Sequence, residues 1–91
     1  MSIYSYMDAS TGYVTEKDMG LVTHPHAPVI AYEYEEGCFI RCSEIDREEL
    51  KECGFSEEFI NLMEFASKEG CTFLRLDRDG DASYDFPWSE W

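Results

Sequence analysis

The sequence predicts an α+β fold, with a mostly antiparallel sheet and helices packed on one face of it. Segments rich in β-forming residues occur near both ends and in the middle of the chain. Between them, residues 43–70 carry helix caps and an apolar stripe at helical spacing. The resulting order, β-α-β-β-α-α-β-β, contains no linker or internal repeat, so residues 1–91 are expected to form a single domain.

The first element expected is a strand at residues 2–7, where SIYSYM alternates and is rich in β-formers. Thr15 then caps a short helix over 16–22, because Asp18 stands at the third helical position, where a capping box has its acid. The prolines of HPHAP cannot continue this helix, so it is expected to end before them.

The segment PVIAYEYEEGCFIRC predicts a β-hairpin. We expect a three-residue loop that ends at Gly37, with this glycine in the left-handed conformation of a bulged turn. In this register Tyr34 faces Cys38, Tyr32 faces Ile40 and Ile30 faces Cys42. All six side chains then lie on the core side of the hairpin.

Two consecutive helices are predicted in the middle of the chain. The first begins at a Ser43 or Asp46 cap and ends at Gly54. The second begins at Ser56, carries two glutamates in its first turn, where acids suit the helix dipole, and ends at Gly70.

The C-terminal part predicts a second hairpin. CTFLRL is expected to be a strand, Asp79-Gly80 a tight turn, and residues around 82–86 a last strand. The same stretch does not fit an EF-hand calcium loop. Counted from Asp77, Gly80 stands at position 4 and Trp88 at position 12, whereas that loop needs glycine at 6 and glutamate at 12.

The sequence predicts no catalytic residue, no metal site and no cofactor. A zinc site could be assembled from two histidines and two cysteines, but their spacing matches no standard zinc module: His24, His26, Cys38 and Cys42. The cysteines form no CxxC pair, and we expect reduced, partly buried thiols. A glycine-rich phosphate loop and an HExxH motif are both absent from the sequence.

Charge is the most unusual property of the composition. Seven Lys and Arg stand against 20 Asp and Glu, which gives a net charge of −13 and a pI near 4.2. Such a field repels nucleic acid and anionic membranes and attracts basic surfaces, so direct nucleic-acid or membrane binding is not expected. The sequence shows neither a signal-peptide pattern nor a membrane-length apolar run, which predicts a cytoplasmic location.

The candidate partner-binding residues are acids near the two predicted turns, with two tryptophans as aromatic anchors: Glu33, Glu35, Glu36, Asp77, Asp79, Asp81, Asp85, Trp88 and Trp91. Of these, five acids are expected to be exposed: Glu33, Glu35, Asp77, Asp79 and Asp81. Strand residues two apart are separated by about 6.6–6.8 Å, which is of the order of the distance between successive phosphates in one DNA strand. Acids on the two central helices would extend this surface, since few bases lie among them.

Three segments, STGYVTEKDMGLV, PVIAYEYEEGCFI and LMEFASKEGCTFLRLDRDGD, resemble a family of small proteins of plasmids, prophages and other mobile elements. The resemblance implies a setting in which small acidic proteins inhibit host defence, as anti-CRISPR and antirestriction DNA mimics do. It implies no catalytic residue.

The leading interpretation is therefore a small acidic inhibitor that mimics DNA and occupies the nucleic-acid-binding groove of a CRISPR effector or restriction nuclease. The alternative is a regulatory or interaction module whose acidity serves only solubility. A small enzyme is the third and least favoured interpretation. The sequence leaves the oligomeric state open.

Overall fold

The computed structural model describes residues 5–24, 27–43, 45–84 and 86. The elements, in chain order, are β1 (Tyr6–Ser10), a 3₁₀ turn (Thr11–Tyr13), α1 (Glu16–Val22), β2 (Ala31–Tyr34), β3 (Gly37–Arg41), α2 (Arg47–Cys53), α3 (Glu57–Lys68) and β4 (Phe73–Asp77). The predicted class is confirmed: the fold is α+β, with a mixed, mostly antiparallel four-stranded sheet and three α-helices.

The sheet places the first and last of its strands side by side, in the order β1-β4-β3-β2. β4 pairs parallel with β1 and antiparallel with β3, and β2 pairs antiparallel with β3 at the edge. β4 therefore has a hydrogen-bonded neighbour on both sides.

The helix ends follow the local signals in the sequence, and these predictions are confirmed. Thr15 and Asp18 form both halves of a capping box on α1. Asp46 accepts from the first-turn N–H groups of α2, and Gly54 ends that helix in a left-handed conformation at φ 98°. Ser56 caps α3.

The core lies between the helices and one face of the sheet. Its buried side chains include Met7, Ala9, Cys38, Ile40, Leu74 and Leu76 from the strands and Leu50, Phe59, Ile60, Leu62, Met63 and Ala66 from the helices. A buried carboxylate joins two helices, because Asp18 accepts from the backbone N–H of Ser56 at 2.8 Å and from its hydroxyl at 2.5 Å.

Two predicted strands differ from the structure. The strand expected at 2–7 is found at Tyr6–Ser10, and residues 1–4 lie outside the described part of the chain. The strand expected around 82–86 is wrong for the described residues 82–84 and 86, which are not in a strand. Both edges of β4 are already occupied, so a following strand has no place beside it. The chain turns back onto β1 instead, and Ser10 N–H donates to the carbonyl of Asp81 at 3.0 Å.

The predicted hairpin register is also wrong. The loop holds two residues rather than three, so Tyr34 pairs with Gly37 and Tyr32 pairs with Phe39. Both tyrosines therefore lie on the face opposite the core. Glu33, which pairs with Cys38, lies on the same face as the core residues, at the exposed edge of the sheet.

Gly37 is required for a reason other than the one predicted. Among the described residues, the glycines with positive φ are Gly54 and Gly70, so Gly37 is not in the left-handed conformation. A Cβ at Gly37 would lie 1.9 Å from the carbonyl oxygen of Leu76. The absence of a side chain lets β3 and β4 approach each other at this point.

Candidate functional site

The second face of the sheet carries aromatic and charged side chains instead of a helical layer. Alternation along the strands places on this open face Tyr6, Asp8, Ile30, Tyr32, Tyr34, Phe39, Arg41, Phe73, Arg75 and Asp77. The large hydrophobic side chains that are exposed in the described part of the chain all belong to it: Tyr6 is 49 % exposed, Ile30 52 % and Tyr32 59 %. The open face is thus where the structure leaves apolar surface in contact with solvent.

The aromatic rings of the open face form a connected cluster around Phe39. Its ring lies 5.3 Å from Tyr6 in an edge-to-face arrangement, 5.7 Å from Tyr34 and 6.5 Å from Phe73 between centroids. Tyr32 continues the cluster towards the edge strand, 6.2 Å from Phe73. These separations lie within the range in which aromatic pairs attract each other, so the rings hold one another in place.

A polar network fixes one side of the ring cluster. Arg75 Nε donates to the Tyr34 hydroxyl at 2.8 Å, and Arg75 Nη2 donates to Asp77 Oδ2 at 2.8 Å. The Tyr34 hydroxyl donates to Asp77 Oδ2 at 2.6 Å, and Asp79 N–H donates to Asp77 Oδ1 at 2.7 Å. These donors, with Tyr34 first and Arg75 next, lower the pKa of Asp77 to about 2. Burial and the hydrogen bond to Asp77 raise the pKa of Tyr34.

Arg75 is held by rings as well as by carboxylates. Its Cζ lies 6.0 Å from the ring centroid of Tyr6 and 5.8 Å from that of Tyr34. Its Nε lies 3.7 Å from Asp8 Oδ1. The central cation of the open face is therefore already paired within the chain.

Asp77 differs from its prediction. It was expected to be an exposed partner-binding acid, but it is only 4 % exposed and its carboxylate accepts hydrogen bonds from Tyr34, Arg75 and the Asp79 backbone. We conclude that Asp77 organises the open face and is not available to a partner.

Five of the predicted acids lie at the same end of the sheet. We call this group the acidic edge: Glu33, Glu35, Glu36, Asp79 and Asp81. The registers Gly37–Asp77 and Ser10–Asp77 bring the β2–β3 turn, the end of β4 and the end of β1 to the same place. Glu36 is half-buried, whereas the other four are exposed.

Direct contacts hold the segments of the acidic edge together. Arg78 N–H donates to the carbonyl of Glu36 at 3.0 Å, which joins the two turns. A shallow cavity of about 260 Å³ lies beside them, and its walls include Glu33, Glu35, Glu36 and Arg78. Asp81 N–H donates to Asp8 Oδ2 at 3.3 Å.

Cations of α2 form ion pairs with two of the acids of α3. Arg47 forms ion pairs with Glu57 and Glu64, and Lys51 Nζ lies 3.2 Å from Glu57. Hydrogen bonds from Arg47 lower the pKa values of both glutamates. The remaining predicted site residues, Asp85, Trp88 and Trp91, lie outside the described residues.

The two buried thiols are poorly suited to nucleophilic chemistry. Cys38, Cys42, Cys53 and Cys71 are free, and the first two are buried. Burial raises the pKa of Cys38 and of Cys42 to about 11, and the charge of Glu33 adds to the shift at Cys38. At neutral pH both groups are therefore protonated. In the described part of the chain, no cluster of three or more His, Cys, Asp or Glu is placed to hold a metal ion.

A family model matches residues 6–91, nearly the whole chain, and its description is "Family of unknown function (DUF5983) C-terminal domain". The chain belongs to this family. The DUF5983 description gives no partner and does not connect the chain to mobile elements or to inhibitors of host defence. Neither a curated protein nor a solved structure was found to match. None of the helices in the described residues is long and apolar enough to span a membrane.

Proposed function

We propose that this protein is an inhibitor that occupies the nucleic-acid-binding surface of a basic protein, with the carboxylates of its acidic edge in the place of phosphates. The observation that carries the proposal is the convergence of acids from separate segments. Glu33, Glu35 and Glu36 come from the β2–β3 hairpin, and Asp79 and Asp81 follow β4, yet the sheet register brings them to one end of the molecule.

The distribution of cations supports this role for the acidic edge. Arg47, Lys51 and Arg75 are engaged in ion pairs elsewhere in the molecule. Arg78 is the base that lines the cavity beside the acidic edge. With a net charge of −13, the edge faces solvent with more carboxylates than local cations, and this arrangement attracts a basic surface.

The hairpin presents its acids at a tight turn: Glu33 lies in β2, and Glu35 and Glu36 form the two-residue turn that follows it. As targets we propose CRISPR effectors and restriction nucleases of the bacterial cytoplasm, the partner class that the sequence resemblance implies.

The test measures binding to a panel of these nucleases, and inhibition of their DNA cleavage, with and without competing DNA. The edge variant combines Glu33→Gln, Glu35→Gln and Glu36→Gln. It should bind at least about tenfold more weakly, because charge pairs in interfaces contribute to both association and affinity. DNA should compete with the wild-type protein for the same nuclease.

A matched control removes the same number of charges from the exposed acids of α2: Glu48→Gln, Glu49→Gln and Glu52→Gln. We expect this variant to bind nearly as the wild type does. If the edge variant binds as tightly as the wild type and DNA does not compete, the proposed mimicry is wrong. The protein is then an interaction module whose acidity serves solubility.

A further inference from the structure

The open face presents apolar surface that nothing in the described fold uses. Tyr6, Ile30 and Tyr32 are each about half exposed, and they lie on the same side of the sheet. Exposed apolar residues scattered singly need no explanation, but a contiguous group marks an interaction surface. Here the group adjoins the ring cluster around Phe39, which extends it across all four strands.

The charges of the open face are balanced within the face. Asp8 and Asp77 are set against Arg41 and Arg75, and the Asp77–Arg75 pair is 2.8 Å long. Unlike the acidic edge, this surface therefore offers rings and aliphatic groups, with its polar atoms largely engaged. The open face is therefore complementary to an apolar or aromatic surface on a partner.

The area of the open face indicates that it does not act alone. Four strands about 4.8 Å apart and five residues long cover roughly 19 by 16 Å, or about 300 Å². A stable interface buries about 800 Å² on each partner. The acidic edge adjoins the face through Tyr34, Asp77 and Asp79, which are joined by hydrogen bonds of 2.6 and 2.7 Å. The open face is therefore continuous with the part of the acidic edge that follows β4, whereas Glu33 lies on the opposite face of the sheet.

Charge argues against a second copy of the chain as the occupant. Face-to-face pairing would bring together two molecules that each carry −13, and their acidic edges adjoin the contact. A cationic partner would instead be attracted by these negative charges. The occupant must therefore combine basic groups, opposite the edge, with apolar or aromatic groups, opposite the open face.

We infer that the partner is a protein that binds single-stranded nucleic acid. Such proteins line their grooves with Lys and Arg, which track the phosphates, and with exposed aromatic side chains, on which bases stack. The carboxylates of the acidic edge take the place of the phosphates, and Tyr6, Ile30 and Tyr32 contact the stacking side chains in the place of bases. Surfaces that bind duplex DNA contact phosphates and the groove edges of paired bases, and do not need the open face. This inference rests on the proposed function.

Two octapeptides of equal charge serve as probes of the partner surface, one alternating lysine with tryptophan and the other lysine with serine. Their dissociation constants are measured by calorimetry at about 0.15 M NaCl, where exposed charges are screened beyond about 8 Å. The tryptophan peptide should bind at least about tenfold more tightly, since ring stacking adds to charge attraction. NMR shifts on its binding should include Tyr32 and Ile30.

Variants of the open face separate the contribution of aromatic contacts to peptide binding from the contribution of charge. Ile30→Ser combined with Tyr32→Ser should abolish the advantage of the tryptophan peptide and leave binding of the serine peptide unchanged. Tyr32→Phe, which keeps the ring, should retain the advantage. Both substituted side chains are more than half exposed, so the fold should tolerate the changes, and circular dichroism checks this.

Three results would overturn the inference: equal affinity for the two peptides, an advantage that survives the double serine variant, or a homodimer in sedimentation equilibrium that this variant dissociates. The edge variant tests the proposed function separately. The edge variant should weaken binding of both peptides, whereas the variant that combines Ile30→Ser with Tyr32→Ser should weaken binding of the tryptophan peptide only. If the edge variant binds the serine peptide as the wild type does, the acidic edge is not the charge-recognition surface, whatever the face variant shows.

Discussion

At the scale of single residues, Asp77 anchors the polar side of the open face. Its carboxylate accepts from Tyr34, Arg75 and the backbone of Asp79, and it lies almost completely out of solvent. Because hydrogen bonds favour the ionised form, the folded-state pKa is about 2, compared with 3.8 for an unperturbed aspartate. The ionised carboxylate therefore stabilises the positions of two neighbouring side chains of the open face, Tyr34 and Arg75.

We predict that Asp77→Asn lowers the free energy of unfolding by an amount that depends on pH. A lowered pKa contributes stability that is fully present above the unfolded value of 3.8 and is lost as the pH falls towards about 2. The wild type should exceed the variant in free energy of unfolding by a constant amount above about pH 5, and the difference should shrink between pH 4 and pH 2. Urea unfolding followed by circular dichroism measures it.

Asp79→Asn removes an exposed charge nearby and serves as the control for net charge. A difference between wild type and Asp77→Asn that stays constant down to pH 2 would contradict the role of the ionised carboxylate.

At the scale of elements, the close approach of β3 to β4 depends on Gly37. A Cβ at this position would lie 1.9 Å from the carbonyl oxygen of Leu76. This steric clash is with backbone, so it could be removed only by moving a strand. Gly37→Ala should therefore destabilise the protein by about 1–3 kcal/mol, the usual cost of an overpacked site. Urea unfolding with a linear extrapolation gives this value.

Gly20→Ala is a matched control, since Gly20 lies within α1 and a Cβ there meets no atom within 4 Å. It should stabilise the protein by about 0.5–1 kcal/mol, because alanine loses less entropy in a helix. If Gly37→Ala is as stable as the wild type, the register that pairs Gly37 with Asp77 is incorrect.

The elements also show which parts of the fold were predictable. Helix signals are local: Thr15 and Asp18 close a capping box within four residues, and Gly54 ends α2. Strand pairing is not local. The strand expected around 82–86 needed a free edge on β4, but β1, more than sixty residues earlier in sequence, occupies that edge. Sequence spacing carries no information about such a neighbour.

The charged part of the candidate site could be predicted from the sequence, whereas the aromatic cluster of the open face could not. Acids concentrated around two turns remain close together once those turns meet, so most of the acidic edge could be named from the sequence. The open face could not, because one residue more or less in the β2–β3 turn exchanges the two faces of β2. The contact between Gly37 and Leu76 fixes the register, and it depends on a strand that is distant in sequence.

Considered as a whole molecule, the protein holds a net charge of −13 within a Cα radius of gyration of 12.0 Å. Mutual repulsion at this density opposes folding, although Arg47 and Arg75 relieve it locally through ion pairs. A basic partner would relieve it further. Fold and binding should therefore respond to salt in opposite directions.

We predict that added NaCl raises the melting temperature of the free protein and weakens its binding to a basic partner. The Debye length falls from about 30 Å at 0.01 M to about 3 Å at 1 M, so salt screens the repulsion between carboxylates spread over the whole surface. The same screening removes the attraction between the acidic edge and a cationic surface. Thermal unfolding by circular dichroism measures the first effect, and calorimetry with the lysine–serine octapeptide measures the second.

The variant that replaces Glu33, Glu35 and Glu36 with glutamine supplies the internal check. Because it carries three fewer negative charges, its melting temperature should rise less with salt, and its peptide binding should depend less on salt. A melting temperature that falls as NaCl is added would mean that the ion pairs of Arg47 and Arg75 outweigh the net repulsion. Binding that is insensitive to salt would mean that the acidic edge does not recognise charge, and contacts through the open face would then have to account for the affinity.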